Sequence, residues 1–385
     1  MKSHKLRHAL YLLFNIVLYL IIGGLFGLWI VFAARFHGEE YVSRPLHLAV
    51  ILLSFYAGVV LHTILHEGGH MVFGLLTGYG FVSFRVFRWT WVRQNGRLTV
   101  KQYSLPGTMG QCLLSPPRGY ADMAEAPFVL YHLGGVLANL IFSVVFAALT
   151  LLLPGIYVRM ICTGLALAGF MLACVNAIPA EPGRLNNDGR NLLELCRSAD
   201  ARRDIHKQLE AVALQAAGQR LRDMPDSVFE GNMEAAKTSM ISATVFALQE
   251  NRLMDEQNFK EAEALIALLT ETDRALSSQL QKTLLELDRL YLRALAGECP
   301  APDKKELKIL KAYRALLPVC RTGFALALAD GDAKKAESVL ADFERLAADY
   351  PYAGELESER MLVDLARDRI GREHGLLLDN FNRIQ

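Results

Sequence analysis

The sequence predicts a mostly α-helical, polytopic membrane protein followed by a cytosolic all-α helical-repeat domain. Three observations carry that reading. First, hydrophobic residues make up 52% of the chain and charged residues 21%, but they are segregated. Residues 9–34, 45–66, 126–158 and 160–180 contain no Asp, Glu, Lys or Arg. Each run is long enough to cross roughly 30 Å of hydrocarbon as a helix. Second, the loop between the second and third runs alternates aromatic and β-branched residues around a turn signal. Third, the chain becomes charge-rich and helically periodic after Cys196. The domains follow: residues 1–44 an anchor, 45–198 a membrane core with a β-hairpin at about 79–105, and 199–385 the helical tail.

The first span is preceded by Lys2, Lys5 and Arg7 with no acidic residue, which puts the N-terminus in the cytoplasm. Its apolar run is too long for a signal-peptide core and lacks a small-residue cleavage site, so it reads as a retained anchor. The loop after the second span carries Arg85, Arg88, Arg93, Arg97, Lys101 and Arg118 against Asp122 and Glu125, again an inside signature. Spans three and four meet at Pro154-Gly155 as an antiparallel hairpin. Four spans with both termini cytoplasmic, in the cell membrane, satisfy every loop. The net charge of +1 points to no nucleic-acid partner. Cys112, Cys162, Cys174, Cys196, Cys299 and Cys320 are scattered without a C-x-x-C pair, as buried inert thiols would be.

In the loop, Phe81 to Val92 reads as a strand, Asn95-Gly96 as a type I′ turn and Leu98 to Tyr103 as the returning strand. Two uses fit. The hairpin is either a small sheet covering the loop, or an edge strand that pairs with an extended substrate.

The second span contains His66-Glu67-Gly68-Gly69-His70, an H-E-x-x-H pattern. On a helix His66 and His70 project from one face, a turn apart, where two imidazoles can hold one zinc ion and Glu67 can serve as general base. A pattern this short recurs by chance. Its position at membrane depth is what gives it weight, since ionisable groups there are costly unless they are used. Zinc requires a third protein ligand. After the fourth span, Asn176-Ala177-Ile178-Pro179 is followed by two helix breakers and then Asp188-Gly189. Asp188 is the carboxylate best placed. Glu181 competes with it, and a simple helix cap over residues 191–196 is the plainer role for Asp188. In the third span, Gly134, Gly135 and Ala138 permit close helix approach, and Asn139 can point into the same seam. His132 is more often a packing residue than a ligand. His62, one turn before His66, either orients a ligand or packs.

With these residues assembled, the membrane half resembles the site-2 protease family of intramembrane zinc metallopeptidases. The likeness covers roughly residues 46–193. It rests on His66-Glu67-Gly68-Gly69-His70, on Gly135-Val136-Leu137-Ala138-Asn139, and on Asn176-Ala177-Ile178-Pro179 with Asp188-Gly189. The resemblance implies a three-helix core, Zn2+ held by His66, His70 and Asp188, and Glu67 as general base. It further implies that Asn139 or Asn176 steadies the substrate or the developing oxyanion. Twelve positions separate Asn176 from Asp188, wider than in the better-known members, and Asn187 stands where Leu is common. No PDZ-like or CBS-like segment is present.

In the tail, residues 258–263 resemble residues 332–337, with Ala262 and Ala336 74 positions apart. That is about two units of a helix-pair repeat, and the segment resembles tetratricopeptide repeats. It would offer a docking surface for a cytosolic protein, or merely pack on the core. The expected function is an intramembrane zinc metalloendopeptidase hydrolysing a membrane-spanning protein or a peptide precursor near the cytoplasmic face of the bilayer. The alternative is a catalytically silent membrane scaffold that binds protein through its tail. A metal transporter ranks last, because the ionisable groups cluster at one end of the spans instead of lining them.

Overall fold

A computed structural model of the chain describes residues 45–94, 96–105, 108–180, 186–271 and 279–371, with scattered helical positions between Val17 and Arg35. Most of the first apolar run, together with Asn95 and Glu181, lies outside the described residues. Three helices are long and apolar enough to cross a membrane: Pro45–Leu76, Met123–Leu152 and Ile156–Ala177. Their regular parts are α1 (Pro45–Leu76), α2 (Val129–Leu152) and α3 (Ile156–Ala177). Contacts divide the chain into two compact units, one of residues 1–69 with 133–178 and one of residues 70–132 with 179–385. The continuous helix α1 runs through both.

The first unit is built on close helix approach. A Cβ on Gly58 would meet the Cβ of Ala168 at 2.7 Å, and one on Gly164 would meet that of Ser54 at 2.6 Å. One on Gly69 would meet the carbonyl oxygen of Gly134 at 2.2 Å and the Ala138 Cβ at 2.6 Å. Small residues therefore let α1 approach both α2 and α3, which is how apolar helices gain contact without a hydrophobic drive between them. On the outside of α1, Leu53, Tyr56 and Leu76 are exposed, a surface suited to hydrocarbon.

The second unit opens with an antiparallel sheet of order β3-β2-β1-β4: β1 (Gly80–Val86), β2 (Trp89–Gln94), β3 (Arg97–Gln102) and β4 (Gly110–Ser115). The single strand expected over Phe81–Val92 is in fact two. Val86 pairs with Trp89, so Phe87 and Arg88 form a tight turn, and Phe87 takes a left-handed conformation with φ 54°. No Gly or Asn marks that turn. Tertiary bonds make it: the buried Arg85 donates to the Phe87 carbonyl at 3.2 Å and to Thr108 Oγ1 at 2.6 Å, while the Phe87 amide donates to the Met109 carbonyl at 2.7 Å. The second turn matches the expectation, with Gln94 paired to Arg97 and Gly96 left-handed at φ 77°. The sheet packs on the tail. Val82 and Val92 join a core that includes Tyr350 and Tyr352, and Gln94 and Lys101 donate to the carbonyls of Pro351 and Ala348.

The tail comprises α4 (Asp188–Arg197), α5 (Ala199–Ala216), α6 (Met233–Ala236), α7 (Met240–Asp255), α8 (Phe259–Glu271), α9 (Gln279–Leu295), α10 (Lys304–Ala312), α11 (Leu317–Ala329), α12 (Ala333–Ala348) and α13 (Ala353–Ala366). Four of its helix ends share one geometry. Gly218, Gln257, Gly297 and Gly331 all take left-handed conformations, at intervals of 39, 40 and 34 residues. Each is bracketed by the same pair of bonds. The Gln257 amide donates to the Met254 carbonyl and Asn258 to Leu253; Gly331 donates to Leu328 and Asp332 to Ala327. Gly218 with Gln219, and Gly297 with Glu298, repeat the pattern. This is a Schellman ending, which satisfies the last helical carbonyls. The likeness between residues 258–263 and 332–337 thus reflects two identical turns that lead from α7 into α8 and from α11 into α12, with Ala262 and Ala336 both fully buried.

Candidate metal centre

Helicity over residues 66–70 puts His66 and His70 one turn apart on α1, both buried. The two imidazoles are held differently. His70 Nδ1 lies 2.7 Å from the Tyr131 carbonyl oxygen, an acceptor only, so Nδ1 carries the proton and donates. The other nitrogen, Nε2, is thereby turned toward Asp188 Oδ2, 3.4 Å away. His66 Nδ1 lies 3.2 Å from the Asn139 amide, whose other end lies 3.1 Å from His62 Nδ1. Asn139 is fully buried and bridges two imidazoles. The two ends of an amide exchange by a half-turn of the side chain. As placed, Nδ2 faces His66 and Oδ1 faces His62; exchanged by that half-turn, Oδ1 would accept from His66 Nδ1 and leave the His66 Nε2 lone pair for a cation.

Gly135, expected to permit close helix approach, has a sharper use here, and Gly169, for which the sequence held no such expectation, has the same one. A Cβ on Gly135 would fall 2.5 Å from the His66 ring, and one on Gly169 would fall 2.2 Å from the His62 ring. Both imidazoles lie against bare backbone, so their orientations are set by shape as well as by hydrogen bonds.

Asp188 is the first residue of α4 and is half-buried. It is not the helix cap. Asn187 takes that part, its Oδ1 accepting from the Arg190 amide at 3.0 Å. The same Oδ1 accepts from the Ala180 amide at 3.0 Å, and the Asn187 amide donates to the Ala180 carbonyl at 3.0 Å. Residue 187 is thus tied back to residue 180. The wide interval between Asn176 and Asp188 is closed at this neck, so the additional residues do not carry Asp188 away from the end of α3. Glu194 anchors α4 further, accepting from Ser239 Oγ at 2.9 Å and from Asn186 Nδ2 at 3.1 Å.

His66, His70 and Asp188 each offer a ligand atom within 4.8 Å of the other two, and this group could hold a metal ion. The donor chemistry fits. His70 Nε2 and Asp188 Oδ2 face one another, and either a proton on Nε2 or a bound cation would bridge them. Two atoms each bound at about 2.0–2.1 Å in a tetrahedral shell stand about 3.3 Å apart, which matches the His70–Asp188 separation of 3.4 Å. Ligating histidines characteristically donate their second nitrogen to a carbonyl or carboxylate, as His70 does to Tyr131. Glu67 is buried on the same helix. Asn176, in contrast, donates to the Leu172 carbonyl of its own helix at 2.9 Å. His132 is buried but falls outside the ligand group. The Tyr131 carbonyl left no signal in the sequence, because it acts through backbone, and the Asn187 neck left only the unusual Asn at that position.

No family model, no curated protein and no solved structure matches this chain.

Proposed function

We propose that the chain is a membrane-embedded zinc metallopeptidase of the site-2 protease kind, cleaving a peptide bond of a membrane-spanning or membrane-associated protein near the cytoplasmic face. The observation that carries the reading is the pairing of His70 Nε2 with Asp188 Oδ2, with His66 one turn away and the buried Glu67 next to His66 on the same helix. Two imidazole nitrogens and one carboxylate are a donor set that suits zinc and leaves coordination open for substrate. When bound, the metal supplies Lewis acidity toward the scissile carbonyl and makes water more acidic.

The chain's own residues do the rest. Glu67 accepts a proton from the attacking water on a carboxylate oxygen and delivers it to the leaving amine nitrogen. The Tyr131 carbonyl fixes which nitrogen of His70 is bare. Asn139 orients His66, a better fit than oxyanion binding, since imidazoles engage both ends of its amide. Asn176 is the remaining amide donor for the substrate carbonyl, because its nitrogen carries a second N–H besides the one given to Leu172. The basic flanks of the spans support cytoplasmic termini. The helical tail, read as tetratricopeptide-like, serves as the docking surface for substrate or a cytosolic partner.

The test combines metal and product. Purified protein in micelles should hold about one zinc per chain, lost in His66→Ala and Asp188→Ala. Membranes from cells carrying Glu67→Gln should lack cleavage fragments present with the wild type. A metal-free wild type with an unchanged membrane peptidome would discard the peptidase and leave the scaffold.

A further inference from the structure

The tail contains a second unusual site. A cavity of about 300 Å³ opens among α5, α7, α9, α11 and α13. Its lining mixes apolar Val212, Leu221, Leu248 and Leu284 with acidic Glu250, Asp288, Glu355 and Glu359. One cation, the buried Arg321, stands among them. It donates to Glu359 Oε1 at 3.1 Å and to Asp288 Oδ1, and it stacks on the Tyr291 ring at 4.8 Å. That leaves carboxyl oxygens unserved. Glu250, only 1% exposed, has no hydrogen-bond partner for Oε1, and Glu359, 5% exposed, has none for Oε2. Unpartnered buried carboxyls are costly, and a folded protein keeps them where something else completes them.

A single metal ion does not suit the site. Among the described residues, three ligand atoms from His, Cys, Asp or Glu come within 4.8 Å of one another at His66, His70 and Asp188, and not here. A lining that combines several carboxyls with aliphatic side chains suits a charge carried on a hydrocarbon stem.

We propose that this cavity binds an alkylammonium or alkylguanidinium cation, its nitrogen received by Glu250 and Glu359 and its methylene stem laid against Leu248 and Leu284. The source is either a free polyamine or a Lys or Arg side chain of a peptide segment. Burial holds the Glu250 carboxyl well above the usual carboxylate range and lifts Glu359 to about 8, so both favour the protonated form near neutrality in the absence of the ligand. A bound cation favours the ionised form, and binding therefore releases protons.

Calorimetric titration of the full chain in micelles tests this, with spermidine in one arm and, in another, an acetylated Lys-containing pentapeptide beside its norleucine counterpart. Spermidine or the Lys peptide is expected to bind saturably with proton release, read from buffers of different ionisation enthalpy, while the norleucine peptide does not. Whichever arm binds identifies the source. Glu250→Gln should weaken binding by about tenfold or more without lowering the unfolding temperature, because it removes a buried carboxyl with no partner for Oε1. Leu248→Trp should abolish binding by filling the cavity with every carboxyl in place. Binding of neither cation to the wild type would overturn the proposal, as would equal affinity in Glu250→Gln.

Discussion

Around His66, buried polarity takes the form of a chain of hydrogen-bonded groups: His62, Asn139 and His66, linked through one amide and packed against glycine backbone. Around Arg321 it takes the form of ionisable groups, with Asp288, Glu250 and Glu359 gathered about one guanidinium. The first arrangement suits a buried helix seam, where an uncompensated charge is costly and hydrogen bonds fix each ring. The second arises in a helical stack whose core has room for an Arg on one helix to reach acids on its neighbours. In the seam, orientation is the scarce quantity. In the tail, it is charge balance.

The largest effect expected tests the seam. Asp188→Asn preserves shape and removes the charge facing His70, so zinc affinity should fall by about 100-fold or more, measured by competition with a chelator. Unchanged affinity would mean that His70 and Asp188 meet for structural reasons alone. In the tail, Arg321→Met leaves Asp288 and Glu359 unpaired and should cost about 3–5 kcal/mol of stability, read by denaturant unfolding of the full chain in micelles.

The pH response of the tail has a definite sign. Burial raises the Glu359 carboxyl from 4.5 to about 8, so its protonated form is the one the fold favours. That contribution is complete below the unfolded value and is lost as pH rises through the folded one. Thermal stability should therefore decline between about pH 5 and about pH 8, and Glu359→Gln should flatten the decline. An unaltered slope would assign it to other groups.

Smaller still, Gly135→Ala places a Cβ against the His66 ring and should destabilise by about 1–3 kcal/mol while also lowering zinc content. If zinc content holds, the ring has room to move. At the low end, Gln257→Gly relieves a left-handed side chain and should stabilise by about 1 kcal/mol, whereas Gly331→Ala should do the opposite by a similar amount. Thermal unfolding distinguishes the pair.

Much of this was legible in the amino-acid order. Charge-free runs and helical periodicity are local properties, so the three apolar helices, the helical tail and the His66–Glu67–His70 spacing follow from residues close in sequence. The turn at Asn95-Gly96 was visible for the same reason. The turn at Phe87-Arg88 was not, because Arg85 and the strand ending at Ser115 stabilise it from a distance. Only the tertiary structure brought Asp188 to His70, closing the interval from residue 180 to residue 187 through one backbone bond and one bond to the Asn187 side chain. The Tyr131 carbonyl that selects the reactive nitrogen of His70, and the four helix endings that share one hydrogen-bond pattern although one lacks glycine, were settled the same way. Sequence specifies which groups are present and which local conformations they favour; donor-to-donor distances depend on how separate elements pack.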